Sequence, residues 1–283
     1  MTNRFTRKEQ LHAATASSLV AVAAFLVLVV MGNTARATNL VYFEEDGGGG
    51  NPRGLYNFDT ATGISTLRAS VGGTQRFFSL ATRPSDGTIF AIATDTNSLY
   101  TMNINTGATN FVASVVDTDF VANIAFSPNS TLYGLERNNR GLFTINQTTG
   151  LRTPIGTTSD VRAGLDFSPN GRLFGLGEEQ GPSSALFQID PATAVDTFVG
   201  NNATFVQLPE DAAFSADGSM FITDFFGAIF QVNTSTGAKT LVGTTGMGTG
   251  LLGLIPVPEP PGFWLAACGA IGVITFLRIT KRR

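Results

Sequence analysis

The middle of this chain contains neither histidine nor cysteine. The only His is His12 and the only Cys is Cys268, each close to one end of the 283 residues. Ser-His-Asp triads, Cys-His nucleophiles and ordinary zinc sites need one or other of these residues, so the middle cannot build them. Carboxylates remain. Between Thr38 and Pro256 lie 19 of the 21 Asp and Glu residues against 10 of the 18 Lys and Arg, a net charge of −9. Such a body repels phosphate, which argues against a nucleic-acid partner. Two carboxylates at a defined separation suffice for glycoside hydrolysis. Asp166, Asp224 and Glu136 are the candidates for such a pair. Carboxylate and carbonyl oxygens also suit Ca²⁺. No Asp-x-Asp-x-Asp-Gly loop is present, so a calcium site would have to be assembled from several segments. No other cofactor is expected.

A repeat must position these groups. Leu55-Tyr56-Asn57-Phe58-Asp59 is echoed by Leu99-Tyr100-Thr101-Met102-Asn103 and by Leu142-Phe143-Thr144-Ile145-Asn146. Leu186-Phe187-Gln188-Ile189-Asp190 and Ile229-Phe230-Gln231-Val232-Asn233 complete the set. The aromatic positions 56, 100, 143, 187 and 230 recur every 43 or 44 residues. Each copy runs into a Thr-Gly turn, except that the fourth has Thr193-Ala194. Ahead of the third, fourth and fifth copies stand Ala125-Phe126-Ser127-Pro128, Asp166-Phe167-Ser168-Pro169 and Ala213-Phe214-Ser215-Ala216. Short aromatic and β-branched runs between Pro, Asn, Asp and Gly read as strands joined by tight hairpins. One period holds four of them, A to D, which is the size and pattern of a propeller blade.

The phase of the repeat closes the ring. The chain enters in mid-blade, with Val41-Tyr42-Phe43 as a B strand, and the missing A strand appears at the far end as Leu251-Leu252-Gly253-Leu254. The expected fold is all-β: a five-bladed β-propeller over 38–256, closed by a composite first and last blade that leaves no open sheet edge at the seam. The aromatic stripe should pack between neighbouring blades, because a blade buries its faces only against its neighbours.

Propeller geometry sorts the loops. D-to-A and B-to-C connections share one face, and 13 of the 19 acids fall there, together with Arg53, Arg76, Arg137, Arg140 and Arg162. Glu45, Asp95, Glu136, Glu178, Glu210, Asp211 and Asp224 define a candidate binding face for Ca²⁺, a sugar chain or another surface protein. Solvation of a soluble body accounts for the same charge.

Two addresses flank the propeller. Residues 1–37 combine basic Arg4, Arg7 and Lys8, the apolar run Leu19–Met31, and Ala35-Arg36-Ala37. This order is that of a secretory signal peptide cleaved after Ala35-x-Ala37. Residues 257–283 begin with Val257-Pro258-Glu259-Pro260. The apolar stretch 263–277 follows, then Arg278, Lys281, Arg282 and Arg283. The stretch reads as a short transmembrane helix whose basic tail stays cytoplasmic. These three parts resemble the PEP-CTERM sorting signal of Gram-negative bacteria. The resemblance implies export across the inner membrane and recognition by an exosortase. It also implies transient anchoring by the C-terminal helix, a final place at the cell surface or in the matrix, and an association with exopolysaccharide and biofilm. The Ser-Pro-Asn-Gly turn and Leu-Phe-x-Ile strand resemble YVTN-type extracellular propellers, which implies a fold rather than an activity. Two functional expectations follow. One is a non-enzymatic binding or structural protein, and the other is an extracellular carbohydrate-acting hydrolase that uses carboxylates of the propeller face.

Overall fold

The structure, a computed structural model, describes residues 39–45, 51–116, 119–177, 185–201, 208–246 and 251–257, apart from the Arg162 side chain. Every element in this part is a β-strand. Blade 1 holds β1 (Asn39–Glu44), β2 (Gly54–Asp59) and β3 (Ile64–Ser70). Blade 2 holds β4 (Phe77–Thr82), β5 (Ile89–Ala93), β6 (Ser98–Met102) and β7 (Thr109–Ser114). Blade 3 holds β8 (Val121–Phe126), β9 (Leu132–Glu136), β10 (Gly141–Ile145) and β11 (Arg152–Thr157). Blade 4 holds β12 (Val161–Phe167), β13 (Leu173–Gly177), β14 (Leu186–Ile189) and β15 (Asp196–Gly200). Blade 5 holds β16 (Pro209–Phe214), β17 (Met220–Asp224), β18 (Ala228–Val232) and β19 (Lys239–Thr244). The last strand, β20 (Leu251–Pro256), completes blade 1 in the order β20-β1-β2-β3. It pairs antiparallel with β1, Leu40 opposite Pro256 and Glu44 opposite Leu251. Five antiparallel four-stranded blades therefore close into a ring, with the composite blade at the seam.

The inner strands β20, β4, β8, β12 and β16 touch one another in sequence around the axis. They and the B strands beside them are almost wholly buried, whereas the outermost strands, such as β3 and β7, are mostly exposed or half-buried. The apolar core divides into five clusters, and each is one joint between adjacent blades. Phe143 of blade 3 packs with Phe90, Ile92 and Leu99 of blade 2, and Tyr56 of blade 1 packs with Phe221 and Ile229 of blade 5. The aromatic repeat is thus the mortar between blades.

The turn after each C strand explains the Asn or Asp at its head. Asp59 Oδ1 accepts the N–H of Ala61 at 2.8 Å, and Asn103, Asn146, Asp190 and Asn233 do the same two residues on at 2.9 Å. This is the Asx turn. It ends on a left-handed residue: Gly63, Gly107, Gly150 and Gly237 at φ of 69–72°, and Ala194 at 62°. Glycine is the usual occupant of that region. Ala194 is tolerated because its neighbour across the joint is Gly156, where an added Cβ would lie 3.0 Å from the Ala194 methyl and 2.6 Å from Thr193 O. At the preceding joint the roles reverse, with Gly150 in the turn and Ala113 in the facing strand.

Candidate functional site

Repeat equivalence separates the acids into two groups. The last residue of the B strand is Glu44, Ala93, Glu136, Gly177 and Asp224 in blades 1 to 5. All three of these acids are buried. Glu136 Oε1 accepts the Asp119 N–H at 3.2 Å and pairs with Arg152 at 2.6 Å. That guanidinium lies over the Phe143 ring, 4.8 Å from its centroid. Asp224 Oδ1 accepts the N–H groups of Phe226 (3.0 Å) and Ala228 (2.8 Å), which close the B-to-C hairpin. Burial raises its pKa against those bonds. In blade 4 the position is Gly177, and a Cβ there would come within 2.8 Å of Asp160 Oδ2, so the Asp160 carboxylate fills the equivalent space. A carboxylate at the end of the B strand is a recurring part of the blade.

The remaining described acids of the candidate face have local partners too. Glu45 pairs with Arg76 at 2.5 Å, and the Arg76 N–H reaches Asp95 Oδ1 at 3.4 Å. Glu210 pairs with Arg137 at 3.2 Å. Among the described residues no group of three or more His, Cys, Asp or Glu side chains is placed to hold a metal ion. Glu178, the cleavage residues Ala35 and Ala37, the sorting residues Pro258, Glu259 and Pro260, and the 263–277 helix lie outside the described residues. Val257 lies within them, its N–H donating to Asn39 O at 2.8 Å.

Asp211 and Asp166 belong to the second group. Three residues before the end of each inner strand stand Ser79, Asn123, Gly164, Asp211 and Gly253, and the ladder register slips at or beside each of them. Only blade 5 has an acid there. Asp211 is fully buried and accepts from five donors. Oδ1 takes the Ser79 hydroxyl (3.1 Å), the Asn123 amide (2.9 Å) and the Ala212 N–H (3.0 Å). Oδ2 takes the N–H groups of Leu254 (2.8 Å) and Leu80 (3.3 Å). One carboxylate thereby joins the inner strands of blades 1, 2, 3 and 5 across the axis. Burial pushes its pKa well above the ordinary carboxylate range, while the N–H groups of Leu254, Ala212 and Leu80 pull the other way.

Asp166 supplies the missing joint. Its Oδ1 accepts the Phe167 N–H at 2.8 Å and its Oδ2 the Phe214 N–H of blade 5 at 2.7 Å. The equivalent positions are Ala81, Ala125, Ala213 and Ile255. Burial pushes the Asp166 carboxyl up to about 7, against those two bonds, and its charge raises the pKa of Asp211 further. Asp166 opens onto a cavity of about 160 Å³, also lined by Leu80, Thr82, Ala213, Leu254 and Ile255.

The structure does not bring the three candidate catalytic acids together. Glu136 lies opposite Val121 and Asp224 opposite Pro209, each at the first residue of an inner strand. Asp166 lies opposite Phe174, one residue from the end of β12. The first two therefore sit at one end of the inner strands and Asp166 near the other. Blade 4 separates Glu136 from Asp224.

No protein-family model matches the chain, and no curated protein matches it either. Solved structures match in number, 813 chains in all, so the likeness identifies a widespread architecture and not an activity. One of them, titled the crystal structure of a nidogen/laminin complex, aligns with a TM-score of 0.53 at 9% identity. It covers 78% of this chain and 98% of the matched one. At that identity the likeness shows the fold alone.

Proposed function

We propose that the chain is an exported, surface- or matrix-associated protein whose propeller is a binding scaffold rather than a hydrolase. One observation carries this reading. The described candidate acids take part in ion pairs, turn caps and blade joints, and Asp166 is separated along the inner strands from Glu136 and Asp224. Glycoside hydrolysis needs two carboxyl groups facing one bond, roughly 5–10 Å apart. The nearest companion of Asp166 by sequence logic is Asp211, and five donors seal it. A rigid ring with a loop-bearing rim instead suits recognition of a polysaccharide or another surface protein. The matched propeller's title names a protein–protein complex, which accords with the second of these.

The address belongs to the same proposal. The signal-like segment 1–37 and Val257-Pro258-Glu259-Pro260 with its apolar and basic continuation support export, exosortase recognition and transient anchoring in a Gram-negative bacterium. An exopolysaccharide matrix is the partner that such sorting suggests. The test is co-sedimentation of the Thr38–Pro256 fragment with the producing organism's matrix polysaccharide, with reducing ends assayed in the same tubes. Retention without new reducing ends is expected. New reducing ends that vanish on Asp166→Asn or Asp224→Asn would replace this reading with a glycosidase.

A further inference from the structure

We propose that the axial cavity beside Asp166 is a binding site for a primary ammonium group on an aliphatic stem, such as an alkyl diamine or a lysine side chain. The cavity lies where the inner strands β20, β4, β12 and β16 approach their ends, and its volume is about 160 Å³. One buried water needs only about 10–15 Å³ of such space, so a short alkyl chain fits. Asp166 and Thr82 are the polar side chains of its lining. The Asp166 carboxylate uses one lone pair on each oxygen for backbone N–H groups, which leaves acceptor capacity on both. Thr82 Oγ1 is buried in the lining and has no hydrogen-bond partner. Among the described residues no basic side chain forms an ion pair with Asp166. The apolar lining includes Leu80, Leu254 and Ile255 together with Phe126, Phe167 and Phe214.

Electrostatics favours a cation there. The charges of Asp166 and Asp211 disfavour each other along the axis. Asp211 is sealed, so Asp166 is where a positive group can relieve both. A divalent metal needs six or more oxygens, which this lining does not supply. An ammonium needs three acceptors at most, and its methylene stem matches the apolar walls. The small residues Ala81 and Ala213, at the positions equivalent to Asp166, create the room. Asp166 and Thr82 supply the acceptors.

Isothermal titration of the full-length chain with 1,5-diaminopentane tests this. A second arm uses an acetylated, amidated lysine peptide, and control arms use 1-pentanol and CaCl₂. Saturable binding at one site per chain is expected for the amines and not for pentanol. Either amine source supports the site, and the tighter one identifies it. Asp166→Asn should weaken binding by about tenfold or more, since a charge-assisted bond is lost. Thr82→Val should weaken it by a few-fold. Ala213→Leu adds bulk to the lining while keeping the carboxylate and should also weaken binding, and the urea midpoint of each variant, read beside the titration, shows that it is folded. Absence of saturable amine binding overturns the proposal. So does binding that survives both Asp166→Asn and Ala213→Leu, equal binding of pentanol, or displacement of the amine by Ca²⁺ at stoichiometric levels.

Discussion

The periphery of the ring and its axis are made from the same five repeats but use polar residues in opposite ways. At the periphery the polar groups obey the repeat. The Asx turn recurs in all five blades with nearly the same 2.8–2.9 Å bond, and the acid closing the B strand recurs in three. At the axis the repeat is broken. Ser79, Asn123, Gly164, Asp211 and Gly253 occupy one equivalent position with four residue types. Five identical acids on one axis would repel, and five identical small residues would leave the slipped backbone N–H groups without acceptors. A single carboxylate surrounded by donors avoids both. Symmetric chemistry therefore builds blades here, and asymmetric chemistry locks them into one ring.

Removing that lock should cost most. Asp211→Ala strands the Leu80, Ala212 and Leu254 N–H groups and one of the two Asn123 amide hydrogens in a buried site, while the Ser79 hydroxyl keeps Ile124 O and the other Asn123 hydrogen keeps Glu210 O. Each stranded group costs about 1–3 kcal/mol, so a total loss above about 4 kcal/mol is expected in urea unfolding. Glu136→Ala, at a repeat position where one ion pair to Arg152 and one N–H bond are lost, should cost less, about 2 kcal/mol. Equal losses would erase the distinction between axis and periphery.

The joint between blades 3 and 4 offers a finer probe. Gly156→Ala drives a methyl against Thr193 O and the Ala194 methyl, and should destabilise by about 1–3 kcal/mol. Ala194→Gly alone gains left-handed freedom but loses a buried methyl, two terms of about 1 kcal/mol each that nearly cancel. The double variant reproduces the Gly150–Ala113 arrangement of the previous joint. It should recover more than half of the Gly156→Ala loss, and strict additivity in the double-mutant cycle would refute the reciprocal packing.

The axis should also carry a pH signature of its own. Asp166 has a folded-state pKa of about 7 against an ordinary 3.8. The folded protein then binds a proton that the unfolded chain releases, so stability rises as pH falls. This contribution is complete below about pH 4 and is lost as pH rises through 7. Between pH 8 and pH 5 the fold should gain about 2 kcal/mol, less whatever water in the cavity screens. Asp166→Asn should remove this share of the profile and leave that of Asp211. A profile unchanged by that substitution would place the titration elsewhere.

Much of the periphery was legible in the sequence, because a repeat is a measurement made five times. The 43- or 44-residue period, the turn residues and the half-blades at the ends each identified a structural unit before any coordinate. The sites were less legible for the same reason. Glu136 and Asp224 stood out as candidate catalytic acids because they sit near loops. Aligning the repeats at Tyr42, Ala91, Gly134, Gly175 and Ile222 would have shown both at one position with Glu44, a signature of architecture. Asp211 counted as one more loop acid. Its burial arises from the register slips of the inner strands, and no residue spacing signals a slip that different side chains accommodate in each blade. Asp166 was singled out, but its partner across the joint is a backbone N–H, which carries no residue identity.

The smallest effect expected lies at the waist. Leu67, Phe111, Pro154, Phe198 and Leu241 are equivalent positions on the outermost strands, and Leu241 is 53% exposed. Each sits opposite the aromatic of its C strand, as Leu241 does Phe230. An outermost strand has no further sheet partner, so a residue there keeps most of its surface in water in both the folded and unfolded states. Leu241→Thr keeps a good strand former and removes apolar surface that folding only half buries. The loss should stay within about 0.5 kcal/mol. Less edge-to-edge association at high protein concentration is the one gain expected, since exposed apolar edges template such pairing. A loss above about 1.5 kcal/mol that grows with protein concentration would mean that the waist is covered in solution by a second copy. The periphery would then hold an interface that the single ring conceals, and the axis would no longer be the place where this fold departs from its repeat.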